Sequence, residues 1–183
     1  MQAPLLTTER LSIEPVSLDH WEEHAAMWGN PELTAFIGGG KPRPRDESWR
    51  RFIGAPGLWH LLGYGYWSFL DKETGVYLGT GGLANFERGV AELEGYPEAG
   101  WAFAPSAWNK GYATEAMQVI LSWADAHLDV KEIRCIIDHA NKASIRVAEK
   151  LGFTYLCDNE DVLGPVQVYR REAVKETKER FNI

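Results

Sequence analysis

Hydrophobic and polar positions change period several times along the 183-residue chain. Residues 10–14 alternate polar and apolar side chains and stop at Pro15, the pattern of a half-buried strand. Residues 19–28 switch to helical spacing, with Trp21, Ala25 and Trp28 along one face. A glycine-rich loop at 38–44 carries Lys41 and Arg43, with Arg45 just beyond, and Asp46 then predicts the cap of a helix running to about Phe52. Residues 64–70 and 76–86 read as strands joined by a turn at 71–75, residues 87–97 as an acidic loop, and Glu98–Phe103 as a further strand before Pro105. The longest periodic stretch places Ala113, Ala116, Met117, Ile120, Leu121, Ala124 and Leu128 on one helical face, with Glu115, Gln118, Ser122 and Asp125 on its polar side. Glu132–Asp138 reads as a buried strand, Asn141 starts a helix, and Gly152 marks its stop. Residues 154–157 and 165–171 form a closing strand pair, and the charged tail at 172–181 has helical character. Strand, long helix, strand requires a parallel pair. The pattern predicts an α/β fold in one domain spanning residues 1–183: a mixed sheet with an antiparallel N-terminal half, a parallel pair around the long central helix, and helices on both faces.

The junction before the long helix carries the most chemistry. Trp108-Asn109-Lys110-Gly111-Tyr112-Ala113-Thr114 joins a strand to a helix start, where unpaired N–H groups and the positive end of the helix dipole favour an anion. Gly111 lets a phosphate approach the backbone, Lys110 adds a cation, and Asn109 is a candidate N-cap. Alone, the stretch reads more readily as a capped helix after a turn. It lacks the Gly-Lys-Ser/Thr of a P-loop and has one glycine of the dinucleotide fingerprint's three.

Taken with residues 141–153 (Asn-Lys-Ala-Ser-Ile-Arg-Val-Ala-Glu-Lys-Leu-Gly-Phe) and the Leu-Thr-Thr-Glu-Arg-Leu opening at 6–11, the junction resembles the GNAT N-acetyltransferase superfamily. The resemblance is closest to its ribosomal-protein N-terminal acetyltransferase branch and covers roughly residues 6–172. It implies that residues 108–113 correspond to the family's pyrophosphate-binding Gln/Arg-x-x-Gly-x-Gly/Ala turn, with Trp108 in place of the Gln/Arg, as is common in that branch. It also implies that acetyl-CoA is the cosubstrate and that Asn141 reaches the pantetheine arm. By residue type, Asn141 is equally an N-cap. Lys142 and Arg146, one turn apart, could meet CoA phosphates, or lie solvated on the helix surface.

Acetyl transfer to an amine needs a base, since an ammonium cannot attack. Glu98, in the apolar setting Tyr96-Pro97-Glu98-Ala99-Gly100-Trp101, is the candidate, and a strand-end carboxylate in a salt bridge is the plainer alternative. Asp138 is the second choice. The tyrosine that many family members use as leaving-group acid is matched here by Ala148. Ser144, one turn after Asn141, is the remaining donor for the departing thiolate, and backbone N–H groups around Trp101, Ala102 and Phe103 are the candidate oxyanion donors.

Composition narrows the rest. A net charge of −7 argues against nucleic-acid binding and modestly favours a cationic amine. The acceptor is left open between a protein N-terminus and a small amine. No apolar run approaches the ~20 residues of a membrane span and no signal peptide is evident, so a cytoplasmic monomer or homodimer is expected. Cys135 and Cys157 lie in apolar strand-like runs and read as buried, reduced thiols rather than nucleophiles. His20 and His24 are one turn apart with no third ligand in sight, so they read as surface imidazoles and no metal is expected. Of the eight Trp, several are expected in the core and some along a pocket. Two other readings of the chain stay open: a non-catalytic acyl-CoA-binding or sensing module, and a nucleotide-binding protein using the same turn.

Overall fold

A computed structural model describes residues 2–160 and 164–174. Eight strands form one sheet in the order β1-β2-β3-β4-β5-β6-β8-β7: β1 (Leu6–Thr7), β2 (Leu11–Pro15), β3 (Tyr66–Asp71), β4 (Tyr77–Ala84), β5 (Glu98–Phe103), β6 (Glu132–Asp138), β7 (Thr154–Asn159) and β8 (Val166–Glu172). Neighbours are antiparallel throughout β1–β5 and again across β6-β8-β7, and β5 and β6 alone run parallel. Five α-helices accompany the sheet among the described residues: α1 (Trp21–Trp28), α2 (Pro31–Thr34), α3 (Arg45–Leu62), α4 (Tyr112–His127) and α5 (Lys142–Lys150). The predicted mixed sheet, with its parallel pair around the long helix, is the observed one.

Strand alternation divides the interior into two layers. Ala99 and Phe103 of β5 join Leu11, Ile13, Phe69, Ile133 and the apolar stripe of α4 in the main core. Ala102 turns to the other side, toward Met27, Trp28, Leu33 and Tyr77 under α1 and α2. Helix α3 touches both layers. Its Phe52 packs on Trp21 and His24, while Trp59 meets Trp67 edge-on with ring centroids 4.5 Å apart and Trp123 of α4 at 5.3 Å.

The structure corrects several expectations. The helix expected to end near Phe52 runs to Leu62 and takes Pro56 in its stride, because Ser48, Phe52, Ala55 and Trp59 form a buried stripe along it. Its N-cap is Pro44, not Asp46. His20 and His24 are buried, not on the surface. Their Nδ1 atoms pair with Ser68 Oγ at 2.9 Å and Tyr77 OH at 3.0 Å. Cys135 is buried but Cys157 only partly so. Asp125 does lie on the polar side of α4, where it makes a bidentate pair with Arg171 of β8 at 2.9 and 2.6 Å. Most of the predicted helical tail, from residue 175 on, lies outside the described residues.

Candidate active site

The site is built where β5 and β6 part. Their single ladder pair is Glu98↔Arg134, with the Arg134 N–H donating to the Pro97 carbonyl at 3.0 Å. Beyond it the strands diverge. Ala104 donates to the Leu78 carbonyl at 2.8 Å, so the even-numbered residues of β5 bond to β4. The backbone groups of Trp101 and Phe103 therefore face the gap. Of the three expected oxyanion donors, Trp101 and Phe103 present N–H groups there, whereas those of Ala102 are directed at Thr80. The Phe103 carbonyl on the open edge is already occupied, accepting from Trp108 Nε1 at 2.6 Å.

A cavity of ≈ 460 Å³ runs through this gap. Its wall is formed by Ser144 and Asn141 with Ile137 and Asp138 at the end of β6, by Glu98, Gly100 and Trp101 of β5, and by His24, Trp28, Arg43, Arg51 and the loop at 35–40. Glu98 is buried, and its two carboxylate oxygens accept from Arg88 Nε and Nη2, each at 3.0 Å. Burial raises its pKa above the ordinary carboxylate value, and Arg88 pulls it only part of the way back. Glu98 is thus both a salt-bridged strand-end carboxylate and a wall of the cavity. A carboxylate has about four lone-pair sites, so the bidentate pair leaves acceptor capacity for a second donor.

Tyr66 is a site residue that the sequence reading missed. Its hydroxyl lies 2.2 Å from where a side chain on Gly100 would begin, so only glycine lets that phenol sit against β5. Burial, reinforced by Glu98, raises the Tyr66 pKa well above its ordinary value and keeps the hydroxyl protonated.

Asn141 caps α5, its Oδ1 accepting from the Ser144 N–H at 3.0 Å, which leaves the Nδ2 donors outside the cap. Ser144 is half-buried on the cavity wall. Ala148 is fully buried in the core and absent from that wall. Asp138 Oδ1 accepts from the Ala140 N–H at 2.7 Å, a turn-forming bond that occupies one oxygen. Cys135 borders the cavity, but burial raises its thiol pKa far above the ordinary value, which removes it as a nucleophile. Lys142 and Arg146 are exposed on α5.

The junction at 108–114 stands apart from this cavity, with Trp108, Asn109, Lys110 and Gly111 exposed and Tyr112, Ala113 and Thr114 partly so. The N-cap of α4 is Gly111 rather than Asn109. Gly111 sits at φ 83° and Asn109 at φ 58°, left-handed values that glycine adopts freely and asparagine tolerates. No side chain caps the helix, so its first-turn N–H groups point outward. Arg10, also unassigned from sequence, fixes the turn from below. It donates to Glu115 Oε2 through Nε at 2.8 Å and Nη2 at 2.5 Å, and to the Lys110 carbonyl through Nη1 at 3.0 Å. Its guanidinium also lies 4.4 Å from the centre of the Tyr112 ring.

Among the described residues no helix is long and apolar enough to cross a membrane, and no group of three or more His, Cys, Asp or Glu could hold a metal. Residues 10–154 match the acetyltransferase (GNAT) domain family. An uncharacterized protein of Bacillus subtilis, YkkB, is 30% identical over 149 residues, 80% of this chain and 83% of that one. The crystal structure of an acetyltransferase from Agrobacterium tumefaciens superposes with a TM-score of 0.79 at 27% identity, covering 93% of this chain and 95% of that one. RimL, a ribosomal L7/L12 α-N-protein acetyltransferase solved with coenzyme A, shares the fold at TM-score 0.73 and 16% identity over 92% of this chain and 97% of its own. With its parted β5 and β6, its uncapped helix start and this match over most of its length, the chain belongs to the GNAT acetyltransferase family.

Proposed function

We propose that the chain transfers the acetyl group of acetyl-CoA directly to a primary amine. The observation that carries this reading is one cavity holding a buried carboxylate of raised pKa, Glu98, the Ser144 wall and the unladdered edge of β5. The residues present fit the cosubstrate. The uncapped first turn of α4 at Gly111, with Lys110 beside it, supplies donors for a pyrophosphate, and Arg146 and Lys142 lie on the neighbouring exposed helix surface. Asn141 Nδ2 and the Trp101 backbone line the way inward as partners for a pantetheine amide. When bound, acetyl-CoA supplies an activated acyl carbon and a thiol leaving group.

The chain's own groups do the rest. Glu98 takes the proton of the incoming ammonium, directly or through a water, and its raised pKa suits it to that work near neutral pH. Arg88 holds the carboxylate in place through two bonds. The Trp101 and Phe103 N–H groups on the open edge offer oxyanion donors. The C–S bond breaks as the amide forms, and the Ser144 hydroxyl passes a proton to the departing thiolate while taking one in exchange, by way of water, from the amine nitrogen.

Thiol release from acetyl-CoA, measured across small amines and N-terminal peptides with product mass determination, tests the reading. Acetylated product with any acceptor supports it. Coenzyme A binding by calorimetry without release from any acceptor would instead mark a non-catalytic acyl-CoA module.

A further inference from the structure

The part of the cavity wall formed by His24, Trp28, Arg43 and Arg51 sets two guanidinium groups against one carboxylate. Arg43 stands between Pro42 and Pro44, which restrict the local backbone to extended conformations, and its N–H donates to the Trp28 carbonyl at 2.9 Å. Its guanidinium lies over the Trp28 ring, 3.8 Å from the centre, with the side chain only 12% exposed. The carboxylate facing it, Glu47, is 3.5 Å from Nε and is shared with Arg51 at 3.4 Å. Among the described residues the Arg43 fork makes no hydrogen bond.

Two more buried groups beside it are unpartnered: Trp28 Nε1, which can only donate, and His24 Nε2. Trp28 and His24 are 8% and 7% exposed, and both unpartnered atoms are enclosed by protein. Charge follows the same imbalance. Arg88 is matched by Glu98, but one carboxylate serves both Arg43 and Arg51. Burial and then Arg51 already hold the Arg43 guanidinium down at about 10, while burial, then Arg43, push His24 down to about 4, so His24 is neutral.

We propose that the acceptor amine carries an oxyanion, a carboxylate or phosphate, and that Arg43 and Arg51 seat that group while the amine faces Glu98. The proposal rests on the N-acetyltransfer reading and names its substrate class. A planar carboxylate matches a guanidinium fork through two parallel bonds. A polyamine brings only positive charge to a wall that already has an excess. The chain's overall charge of −7 sits elsewhere on the molecule and does not set the sign of this cleft.

The test uses amine pairs that differ in the anion: leucine against leucinamide, an N-terminal aspartyl peptide amide against its asparaginyl counterpart, and 2-aminoethyl phosphate against ethanolamine, with spermidine alongside. Thiol release gives kcat/KM for each. The anionic member of at least one pair is expected to be favoured by about 10- to 100-fold, the range of one charge-assisted contact. Which pair responds identifies carboxylate or phosphate as the seated group. In Arg43→Gln the ratio should fall toward one through a raised KM for the anionic acceptor rather than through kcat. Arg51→Gln, at a half-exposed position, should narrow the ratio even if Arg43→Gln fails to fold. Equal rates within every pair, or a preference for the neutral members or spermidine, would overturn the proposal and leave N-acetyl transfer standing. No acetylation of any amine would remove both.

Discussion

Lowering the pH should destabilise the fold through His24, by an amount that the structure sets. The ring is enclosed by Phe52 at 4.9 Å, Trp28 and Tyr77, with Arg43 nearby, and its pKa is held at about 4 against an unfolded value of 6.5. Between those values the unfolded chain binds a proton that the folded one refuses, so stability rises with pH through the window. The contribution is fully present above about 6.5 and is lost as pH falls to about 4. At 1.36 kcal/mol per pKa unit it amounts to roughly 3 kcal/mol, a large share of the 5–15 kcal/mol typical of a folded protein. Urea unfolding of wild type and His24→Asn from pH 4 to 8 measures it. Asparagine keeps a polar atom near Nδ1 for Tyr77 but does not titrate. The carboxylates titrate in both proteins and cancel in the difference. The wild type should lose about 3 kcal/mol relative to the variant between pH 6.5 and 4. Parallel stability curves, or an NMR titration of His24 near 6.5, would refute the reasoning.

Three further substitutions probe the site. Glu98→Gln should lower kcat by about 10²-fold with little change in the acetyl-CoA KM, the deficit shrinking at high pH where the amine is already neutral. The acid limb of the wild-type profile should lie above the ordinary carboxylate range, because burial raises Glu98; an unaltered pH–rate profile in the variant would transfer the role to Asp138 or to water. Ser144→Ala should cost about 10-fold in kcat, a modest loss because a thiol of pKa ~8.5 leaves readily. A raised acetyl-CoA KM at unchanged kcat would make Ser144 a binding residue instead. Gly111→Glu forces a side chain into φ 83° and sets a carboxylate against the first turn of α4, so coenzyme A affinity measured by calorimetry should fall at least 10-fold, on the order expected from like-charge repulsion there. Wild-type affinity in the folded variant would exclude the turn as the pyrophosphate site.

Local pattern carried most of the fold. Glu98–Phe103 and Glu132–Asp138 were legible to the residue, because each is an apolar run bounded by turn chemistry. Helix α3 was not. Gly54, Pro56 and Gly57 read as breakers, and only its tertiary partners Trp67 and Trp123 outweigh them. Asn109 has the right chemistry for a cap, yet the chain turns left-handed there and again at Gly111, a choice of backbone that residue preference does not reveal. Glu98, Trp101, Asn141 and Ser144 could be grouped from sequence because they lie on adjacent elements, whereas His24, Arg43, Tyr66 and Arg88 join them around the cavity only once distant segments pack. An exposed-looking helix with two histidines gives no sign that Ser68 and Tyr77 will receive them.

The single bridge between β5 and β6 also divides the molecule mechanically. One hydrogen-bonded unit is β1 to β5, the other β6, β8 and β7; a single ladder pair, side-chain packing from α4 and the Asp125–Arg171 pair join them. Each unit is internally laddered, so each is able to open as its own cooperative block, and amide hydrogen exchange in β2–β4 and in β6–β8 should report two distinct opening free energies. A ligand lying across the seam bonds to both blocks at once. Its binding should draw the two opening energies together and turn a two-part exchange pattern into one.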